Sequence, residues 1–358
     1  MTSTRRRRPT LDDVADAVGV SRATVSNAYN RPDQLSAQLR DEVLRAAKKL
    51  GYPGPNPTAR SLATSRTGAI AFMLDASLSA AFSDPALTIT LDALATAVEP
   101  GDHALLLLPG GENGGPPAER VLTAQADIAV AYSLADDTPA LESVAARGLP
   151  LVVIDQPLVP GAALVGCDDR GGAALAARHL LDLGHRRFGI LSAQCLSIGR
   201  GGEMTAEAAL ASRFHDTRER LAGYLDTLAV AGITASEVAI WEVSGMSAEG
   251  AMAAATELLG RAERPTALLC MSDQLALGAM SAARQLGLDV PGDVSVVGFD
   301  DTPSAKWSEP ALTTVRQDLA LKGRAAGELV LRLLAGGSAP EPTRLGVDLV
   351  RRGSTAPA

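Results

Sequence analysis

The chain has 358 residues, with 33 Lys or Arg against 41 Asp or Glu and a formal net charge of −8, so it is long enough for more than one domain. The charge is uneven, because residues 1–66 hold 12 basic and 6 acidic side chains whereas the remainder is acidic. A basic module on an acidic body favours a polyanion-binding segment and argues against a generally basic protein. Three cysteines without a CxxC spacing favour neither a disulfide framework nor a zinc site.

Residues 10–30 have the pattern of a helix-turn-helix. Thr10 precedes apolar residues at helical spacing, and Asp13 lies three positions later, as in a capping box. Gly19 supplies a left-handed turn, and Ser21 is a suitable N-cap for a second short helix. Small or polar side chains on its outward face suit a helix that lies in a major groove. These outward residues are Arg22, Ala23, Ser26 and Asn27.

A third helix and a linker follow. Apolar residues at helical spacing predict a helix that starts at Ser36 and ends at Gly51. The Pro-rich residues 53–57 cannot continue this helix. Residues 59–68 are compatible with a short helix but have too little apolar surface to fold alone.

The body of the chain, from Gly68 to about Val350, alternates short apolar runs with helix-length stretches. This alternation predicts parallel sheets covered by helices on both faces, and the number of repeats predicts two subdomains. The strand candidates are residues 69–74, 104–108, 128–132, 151–154, 188–191, 238–241, 267–271 and 294–299. The helix candidates include residues 170–184, 216–231, 247–261 and 273–287.

These segments resemble the lactose/galactose-repressor (LacI) family of bacterial transcription regulators. The similar stretches are TLDDVA, GVS and TVS within residues 10–26, Asn30, LDLGHRRFGIL (181–191), VGFDDTP (297–303) and LTTVRQD (312–318). The resemblance implies an all-α helix-turn-helix head joined to a two-lobed α/β body with parallel sheets, like that of periplasmic sugar-binding proteins. It divides the chain into a DNA-binding domain (1–52, with a basic tail 1–9), a linker with a hinge helix (53–67), an effector-binding and dimerisation domain (68–350) and a C-terminal tail (351–358).

The resemblance implies that the second helix of the head reads double-stranded DNA. A homodimer would place two such helices in adjacent major grooves of a near-palindromic operator. Base edges would be met by Arg22, Ala23 and Asn27, and phosphates by Ser21, Thr24 and Ser26, while Asn30 belongs to the same motif. The alternative is an amphipathic helical hairpin with no role in DNA binding.

The linker resembles the hinge helix of the family. Ala59, Arg60 and Leu62 match its pattern, in which the Leu enters the minor groove and bends the DNA. The alternative is a flexible linker with one exposed Leu.

The effector site is expected where parallel strands end, since ligands bind at the carboxyl ends of such strands. Asp75, Asp155, Ser272 and Asp300 lie at predicted strand ends, and carboxylates there suit a polyhydroxylated ligand. The resemblance places Arg220, Asp155, Ser272 and Asp300 at effector-contact positions and implies a sugar or nucleoside-like effector. Phe82, in the loop after the first strand, is a candidate for stacking against the ligand, although a core role is its ordinary one.

We expect a repressing regulator rather than an enzyme. No His is paired with a nucleophile by a recognisable motif and no Walker-type loop occurs, so we expect no catalytic residue, cofactor or metal. The basic N-terminus lacks an apolar run and no stretch is long enough to cross a membrane, which predicts a cytoplasmic protein. Two alternatives stay open: an architectural DNA-binding protein whose body senses nothing, and a sugar- or nucleoside-processing enzyme.

Replacing Leu62 by Ala tests the hinge prediction. We expect Leu62→Ala to remove the operator bend, because Ala lacks the side chain that would unstack a base step. The bend angle is measured by circular-permutation gel shift, with Thr64→Ala in the same segment as the control. An unchanged bend in Leu62→Ala would contradict the assignment of a hinge.

Overall fold

The computed structural model describes residues 9–54, 66–111, 114–195, 201–244 and 247–358, with Pro32 described by its backbone only. The chain divides into two compact units, Met1–Thr67 and Gly68–Ala358. Among the described residues, the first unit has a small hydrophobic core, and the second has larger cores on both of its sheets. The units are described separately below.

The described part of the first unit contains three α-helices: α1 (Leu11–Val18), α2 (Arg22–Asn30) and α3 (Ala37–Leu50). Thr10 and Asp13 form the expected capping box, and Gly19, at φ 75°, ends α1 in the left-handed conformation. The Oγ of Ser21 accepts a hydrogen bond from the Thr24 amide at 3.0 Å and so caps α2. The core residues of this helix-turn-helix unit are Val14, Ala15, Val25, Ala28, Val43 and Ala47.

The first lobe of the second unit is built on a six-stranded sheet in the order β12-β5-β4-β3-β1-β2, in which every pair of neighbours is parallel. Its strands are β1 (Ala69–Leu74), β2 (Ala104–Leu108), β3 (Ile128–Tyr132), β4 (Leu151–Ile154), β5 (Ala163–Cys167) and β12 (Thr343–Leu345). Its helices are α4 (Leu78–Phe82), α5 (Pro85–Val98), α6 (Ala118–Thr123), α7 (Pro139–Ala146) and α14 (Leu319–Leu334).

The second lobe is built on a seven-stranded sheet in the order β13-β11-β10-β9-β6-β8-β7. Its strands are β6 (Phe188–Ser192), β7 (Gly202–Met204), β8 (Ala239–Glu242), β9 (Ala267–Cys270), β10 (Ser295–Asp300), β11 (Thr313–Gln317) and β13 (Val347–Val350). Its helices are α8 (Asp169–Asp182), α9 (Ala206–Leu210), α10 (His215–Val230), α11 (Ala248–Leu259), α12 (Asp273–Gln285) and α13 (Pro303–Trp307). The two edge strands β7 and β13 are antiparallel to their neighbours, and the strands between them are parallel.

The chain passes between the lobes more than once. It enters the second lobe after β5, returns after β11 through α14, and crosses again between β12 and β13. Helix α14 packs closely on α5. The helices approach so closely at Gly323 that an added Cβ would lie 2.2 Å from the backbone oxygen of Thr90. The connection is therefore part of the first lobe's core, and α14 carries Lys322, which binds two residues that line the cavity described below.

Residues 351–358, the C-terminal tail of the sequence-based division, pack onto the second lobe. Ser354 is fully buried, and its Oγ donates to the Val296 carbonyl at 2.6 Å and accepts from the Thr313 amide at 2.9 Å. His185 Nε2 lies 3.1 Å from the carbonyl oxygen of Ala356. Burial lowers the pKa of His185 below its usual value although that carbonyl raises it, so the imidazole is a neutral hydrogen-bond partner at neutral pH.

Replacing Ser354 by Ala tests this packing. The substitution leaves the Thr313 amide and the Val296 carbonyl without the hydroxyl, and we expect a loss of about 1–3 kcal/mol in the free energy of unfolding. Urea denaturation measures it, with Ser338→Ala as the control at an exposed site, where the change should stay within about 0.5 kcal/mol. Equal unfolding midpoints for the two variants would show that the C-terminal segment contributes nothing to stability.

Candidate functional site

Helix α2 presents the predicted DNA-contacting residues to solvent. Arg22 and Ala23 are exposed, and Ser26 and Asn27 are half-buried beside the core residue Val25. Arg22 Nε lies 3.8 Å from a carboxylate oxygen of Asp12, and both side chains are well exposed. A surface pair of this kind is weak, so the guanidinium is free to exchange its partner for a guanine edge or a phosphate.

Other residues of the predicted DNA-binding set have local roles in the unit. The Ser21 hydroxyl lies 2.9 Å from Thr24 Oγ1, and it caps α2. Asn30 donates from Nδ2 to Ser26 Oγ at 3.2 Å, and its buried Oδ1 has no partner among the described residues. Asn30 therefore lies one turn after Ser26 on the same side of α2, with its side chain half-buried. The hinge-helix residues Ala59, Arg60 and Leu62 lie outside the described residues.

A cavity of about 430 Å³ lies in the second unit at the carboxyl ends of parallel strands from both lobes. Five of the six residues predicted from the sequence line it: Asp75, Asp155, Arg220, Ser272 and Asp300. The first lobe contributes Asp75 after β1 and Asp155 after β4, and the second contributes Ser272 after β9 and Asp300 at the end of β10. This is the place that a parallel topology provides, since successive loops leave the same edge of each sheet.

Arg220, on α10, is a buried cation held by the second lobe. Its side chain is 11% exposed, its Nε donates to Asp169 Oδ1 at 2.8 Å, and its Nη1 donates to the Met271 carbonyl. The guanidinium carbon lies 3.8 Å from the ring centroid of Phe299, a cation–π contact. Burial alone would lower the pKa of Arg220, but nearby carboxylates, with that of Asp169 first, raise it well above its usual value. The group remains charged and fixed in position.

Gly172, on α8, makes room for the ring beneath Arg220. A Cβ at this position would lie 2.9 Å from the Phe299 ring, closer than ordinary carbon contacts allow. The glycine therefore allows Phe299 to take the position from which it supports the guanidinium.

A second buried cation, Lys322, was missed by the sequence analysis. Its Nζ donates to Asp155 Oδ1 at 2.6 Å and also to the side-chain oxygen of Gln317. Gln317 Nε2 in turn donates to Asp300 Oδ1 at 2.7 Å. Burial alone would lower the pKa of Lys322, but the Asp155 carboxylate raises it. The signal in the sequence was a single Lys on the apolar face of α14, four residues before the buried Ala326.

The network formed by Asp155, Lys322, Gln317 and Asp300 connects the two lobes. Asp155 and Lys322 belong to elements of the first lobe, whereas Gln317 and Asp300 end strands of the second. Both aspartates have positive φ angles, 65° for Asp155 and 120° for Asp300. Such a backbone is costly for a residue with a side chain, and it persists where surrounding contacts hold it.

Ser272 has a structural role in addition to its place in the cavity. Its Oγ accepts from the Leu275 amide at 3.2 Å and caps α12, and the residue is buried. The neighbouring Asp273 does not line the cavity; it accepts from the Thr302 amide at 2.6 Å and from the hydroxyls of Thr302 and Thr314. Asp273 thus joins the loops that follow β9 and β10 to the start of strand β11.

Phe82 is not placed at the cavity, contrary to the sequence-based expectation. Helix α4 turns Ala81 inward and leaves Phe82 59% exposed, because consecutive helical residues point in different directions. The aromatic side chains that line the cavity are those of Tyr132 and Phe214.

Two further carboxylates at the cavity were not identified from the sequence. Asp84 caps α5 by accepting from the Ala86 amide at 2.9 Å, and Asp216 accepts from the Thr217 amide at 2.6 Å in the first turn of α10. Burial raises the pKa of Asp216 to about 6, although the nearby Arg220 lowers it. Helix-capping patterns predict such residues as structural, and nothing in the local sequence shows that they face a cavity.

Neither a metal centre nor a membrane span was found in the described parts of the chain. Among those residues no group of three or more His, Cys, Asp or Glu side chains is arranged to hold a metal ion. None of the helices described there combines the length and apolar character needed to cross a bilayer.

Comparisons with known proteins match two separate parts of the chain. The family of bacterial regulatory proteins called lacI matches residues 10–56, and the periplasmic binding protein-like domain matches residues 177–355. An HTH-type transcriptional regulator of Mycolicibacterium smegmatis is 41% identical, covering 98% of this chain and 97% of that protein.

Two solved structures are also similar over nearly the whole chain. The lac repressor dimer bound to operator and the anti-inducer ONPF has a TM-score of 0.77 and 28% identity, covering 98% of this chain and 100% of that one. The complex of the transcriptional regulator CelR with cellobiose has a TM-score of 0.68 and 29% identity, with coverage of 97% and 100%. The helix-turn-helix unit, the two-lobed body and these relatives agree: the chain belongs to the lacI family of bacterial regulatory proteins and is a DNA-binding transcriptional regulator.

Proposed function

We propose that this regulator is a repressor whose affinity for a near-palindromic operator is controlled by a small polyhydroxylated ligand, a sugar or nucleoside-like molecule. It would bind the operator as a homodimer in the bacterial cytoplasm and associate with the nucleoid when bound. The observation that carries the proposal is the cavity, in which Asp75, Asp155 and Asp300 converge from the strand ends of two lobes. A carboxylate accepts hydrogen bonds from ligand hydroxyls, and Asp155 and Asp300 each keep Oδ2 for this purpose while Oδ1 accepts from Lys322 or Gln317.

The relatives support the parts of this proposal. One solved structure is named as a lac repressor dimer bound to operator, and another as a regulator in complex with cellobiose. The first supports dimeric operator binding, and the second supports a carbohydrate effector for a protein of this architecture. In the proposed set, Arg22, Ala23 and Asn27 read base edges, and Leu62 of the hinge helix enters the minor groove.

Ligand control requires that the ligand bind two arrangements of the body with different affinities. The hydrogen-bonded network of Asp155, Lys322, Gln317 and Asp300 joins the lobes directly beside the cavity. A ligand that replaces some of these hydrogen bonds would change the preferred angle between the lobes. The coupling to operator binding would be of the usual size for allosteric proteins, about 1–3 kcal/mol.

The alternatives receive less support from the cavity. An architectural DNA-binding protein with a non-sensing body has no need for two buried cations and several carboxylates at one cavity, because burying charge is costly. An enzyme is disfavoured because the curated relatives are named as transcriptional regulators. We therefore propose a sensor without catalytic activity.

Replacing Arg22 by Ala tests direct reading of the operator. We expect Arg22→Ala to lose about 1–3 kcal/mol of specific binding and to relax the base preference at one operator position, because an Arg reads guanine through two hydrogen bonds. Selection of bound DNA from a random pool measures both effects. Arg178→Ala, at an exposed position of the body, is the charge-matched control. An equal loss on every DNA sequence would make Arg22 a phosphate contact instead.

Replacing Asp300 by Asn tests the cavity as the effector site. The amide keeps the size of the side chain and tolerates a positive φ, but it loses one acceptor for ligand hydroxyls. We expect operator affinity to be unchanged and the response to ligand to weaken at least about tenfold, the effect of a hydrogen bond to a charged group. Arg220→Ala is a poorer test, because it would leave Asp169 buried without its cation and destabilise the body by about 3–5 kcal/mol.

The response is measured as operator release or retention in fluorescence anisotropy, using panels of sugars and nucleosides. Asp102→Asn, at an exposed loop position with the same change in charge, is the control. An Asp300→Asn protein that responds like the parent would place the effector elsewhere.

A further inference from the structure

Two ion pairs join the lobes in addition to the buried network described above. Asp136 and Asp137 lie in the loop that follows β3 of the first lobe. Arg213 lies just before α10 of the second lobe, and Arg218 lies in the first turn of that helix. Arg218 Nη1 is 2.7 Å from Asp136 Oδ2, and Arg213 Nη2 is 2.6 Å from Asp137 Oδ1. We call these four residues the lobe clasp.

Two backbone amides are also hydrogen-bonded across the boundary between the lobes. The Asp136 amide of the first lobe donates to the Arg213 carbonyl of the second at 2.9 Å. In the opposite direction, the Asp216 amide of the second lobe donates to Gln156 Oε1 of the first at 2.8 Å. Each amide would lose its acceptor if the lobes moved apart, so each reports on their separation.

The clasp lies away from the segments that connect the lobes. The chain crosses between the lobes after β5, β11 and β12. Strands β5 and β12 are neighbours at one edge of the first sheet, whereas β3, whose loop carries the two clasp aspartates, is two strands further in. At the usual strand spacing this is a displacement of about 10 Å. A rotation of the lobes about the crossings would therefore separate the clasp residues more than the residues at the crossings.

The ion pairs of the clasp are partly exposed to solvent. The side chains of Arg213 and Arg218 are 26% and 29% exposed, and those of Asp137 and Asp136 are 64% and 36% exposed. Arg218 Nη1 also donates to the Ser212 carbonyl at 2.6 Å, which fixes the guanidinium before it meets the carboxylate. Ion pairs of this exposure are individually weak, but two that act together can change the ratio of two arrangements by about tenfold.

We propose that the lobe clasp holds the two lobes in the arrangement described above when no ligand is bound, and that breaking its ion pairs lets the lobes rotate apart. The inference goes beyond the proposed function and requires neither an effector nor an operator. Because salt screens partly exposed charges, the fraction of molecules with separated lobes would rise with ionic strength. Any property coupled to the angle between the lobes would then respond to salt as well.

Hydrogen exchange of the full-length protein, without ligand or DNA, tests the clasp. Asp137→Lys reverses a charge on the first lobe, and exchange is measured at the Asp216 amide on the second, so that damage to the substituted loop alone is not recorded. We expect exchange at Asp216 to become about tenfold faster, because exchange follows the population of the open form. The amide of Leu269, in the core strand β9, should exchange as in the parent.

The double variant Asp137→Lys/Arg213→Glu separates the ion pair from other effects of the substitution. The pair is restored with opposite polarity, so we expect protection of the Asp216 amide to return to within about twofold of the parent. Asp92→Lys, the same charge reversal at an exposed position of α5, is the matched control and should leave exchange at Asp216 unchanged.

Two outcomes would overturn the inference. Unchanged exchange at Asp216 in Asp137→Lys would mean that the buried network alone holds the lobes together. Faster exchange that the double variant does not reverse would mean that the ion pair is not the cause. Neither outcome bears on effector or operator binding, so the proposed function would stand in both cases.

Salt provides a second test of the same charges. Raising KCl from about 0.1 M to about 1 M shortens the range of electrostatic interactions from about 10 Å to about 3 Å. We expect exchange at the Asp216 amide to become about fivefold faster in the parent, because both ion pairs are screened. The variant Asp136→Asn/Asp137→Asn, in which amides replace both carboxylates, should exchange equally fast at the two salt concentrations. An equal response to salt in parent and variant would contradict a clasp made of these charges.

Discussion

The arrangement of the body depends on two buried cations that must each be paired with a carboxylate. Arg220 and Lys322 are both withdrawn from water, and each is held by an aspartate of its own lobe. Removing one member of such a pair strongly destabilises the folded state, because the other charge is left buried without a partner. Replacing both members by apolar residues would cost much less. These pairs consequently fix the positions of α10 and α14 at the cavity, and they determine which charges are left for a ligand.

The parallel topology supplies the rest of the site. Asp75, Asp155 and Asp300 are far apart in the sequence, yet each follows or ends a parallel strand, so the two sheets bring them to one cavity. The backbone positions are set by the sheets and the side chains by their hydrogen bonds. In helix α2, one residue likewise has two positions of interest. The Ser21 hydroxyl caps the helix, and Ser21 also lies at the start of its exposed face.

Much of this could be predicted from the sequence, because short-range patterns determine it. The capping box at Thr10, the turn at Gly19 and the apolar strands gave the helix-turn-helix and the parallel sheets, and the strand ends gave Asp75 and Asp300. Lys322 was missed because its partner Asp155 is 167 residues away, and no local pattern reveals such a pair. Phe82 was misplaced because one step along a helix turns a side chain by about 100°.

The network between the lobes has a mechanical consequence. The network consists of short hydrogen bonds among Asp155, Lys322, Gln317 and Asp300. Hydrogen bonds weaken steeply when the donor and acceptor separate or when the angle between them departs from linearity. A rotation of one lobe against the other cannot lengthen these hydrogen bonds gradually. The rotation must instead exchange one set of hydrogen bonds for another. We therefore expect the angle between the two lobes to take a few discrete values rather than to vary continuously.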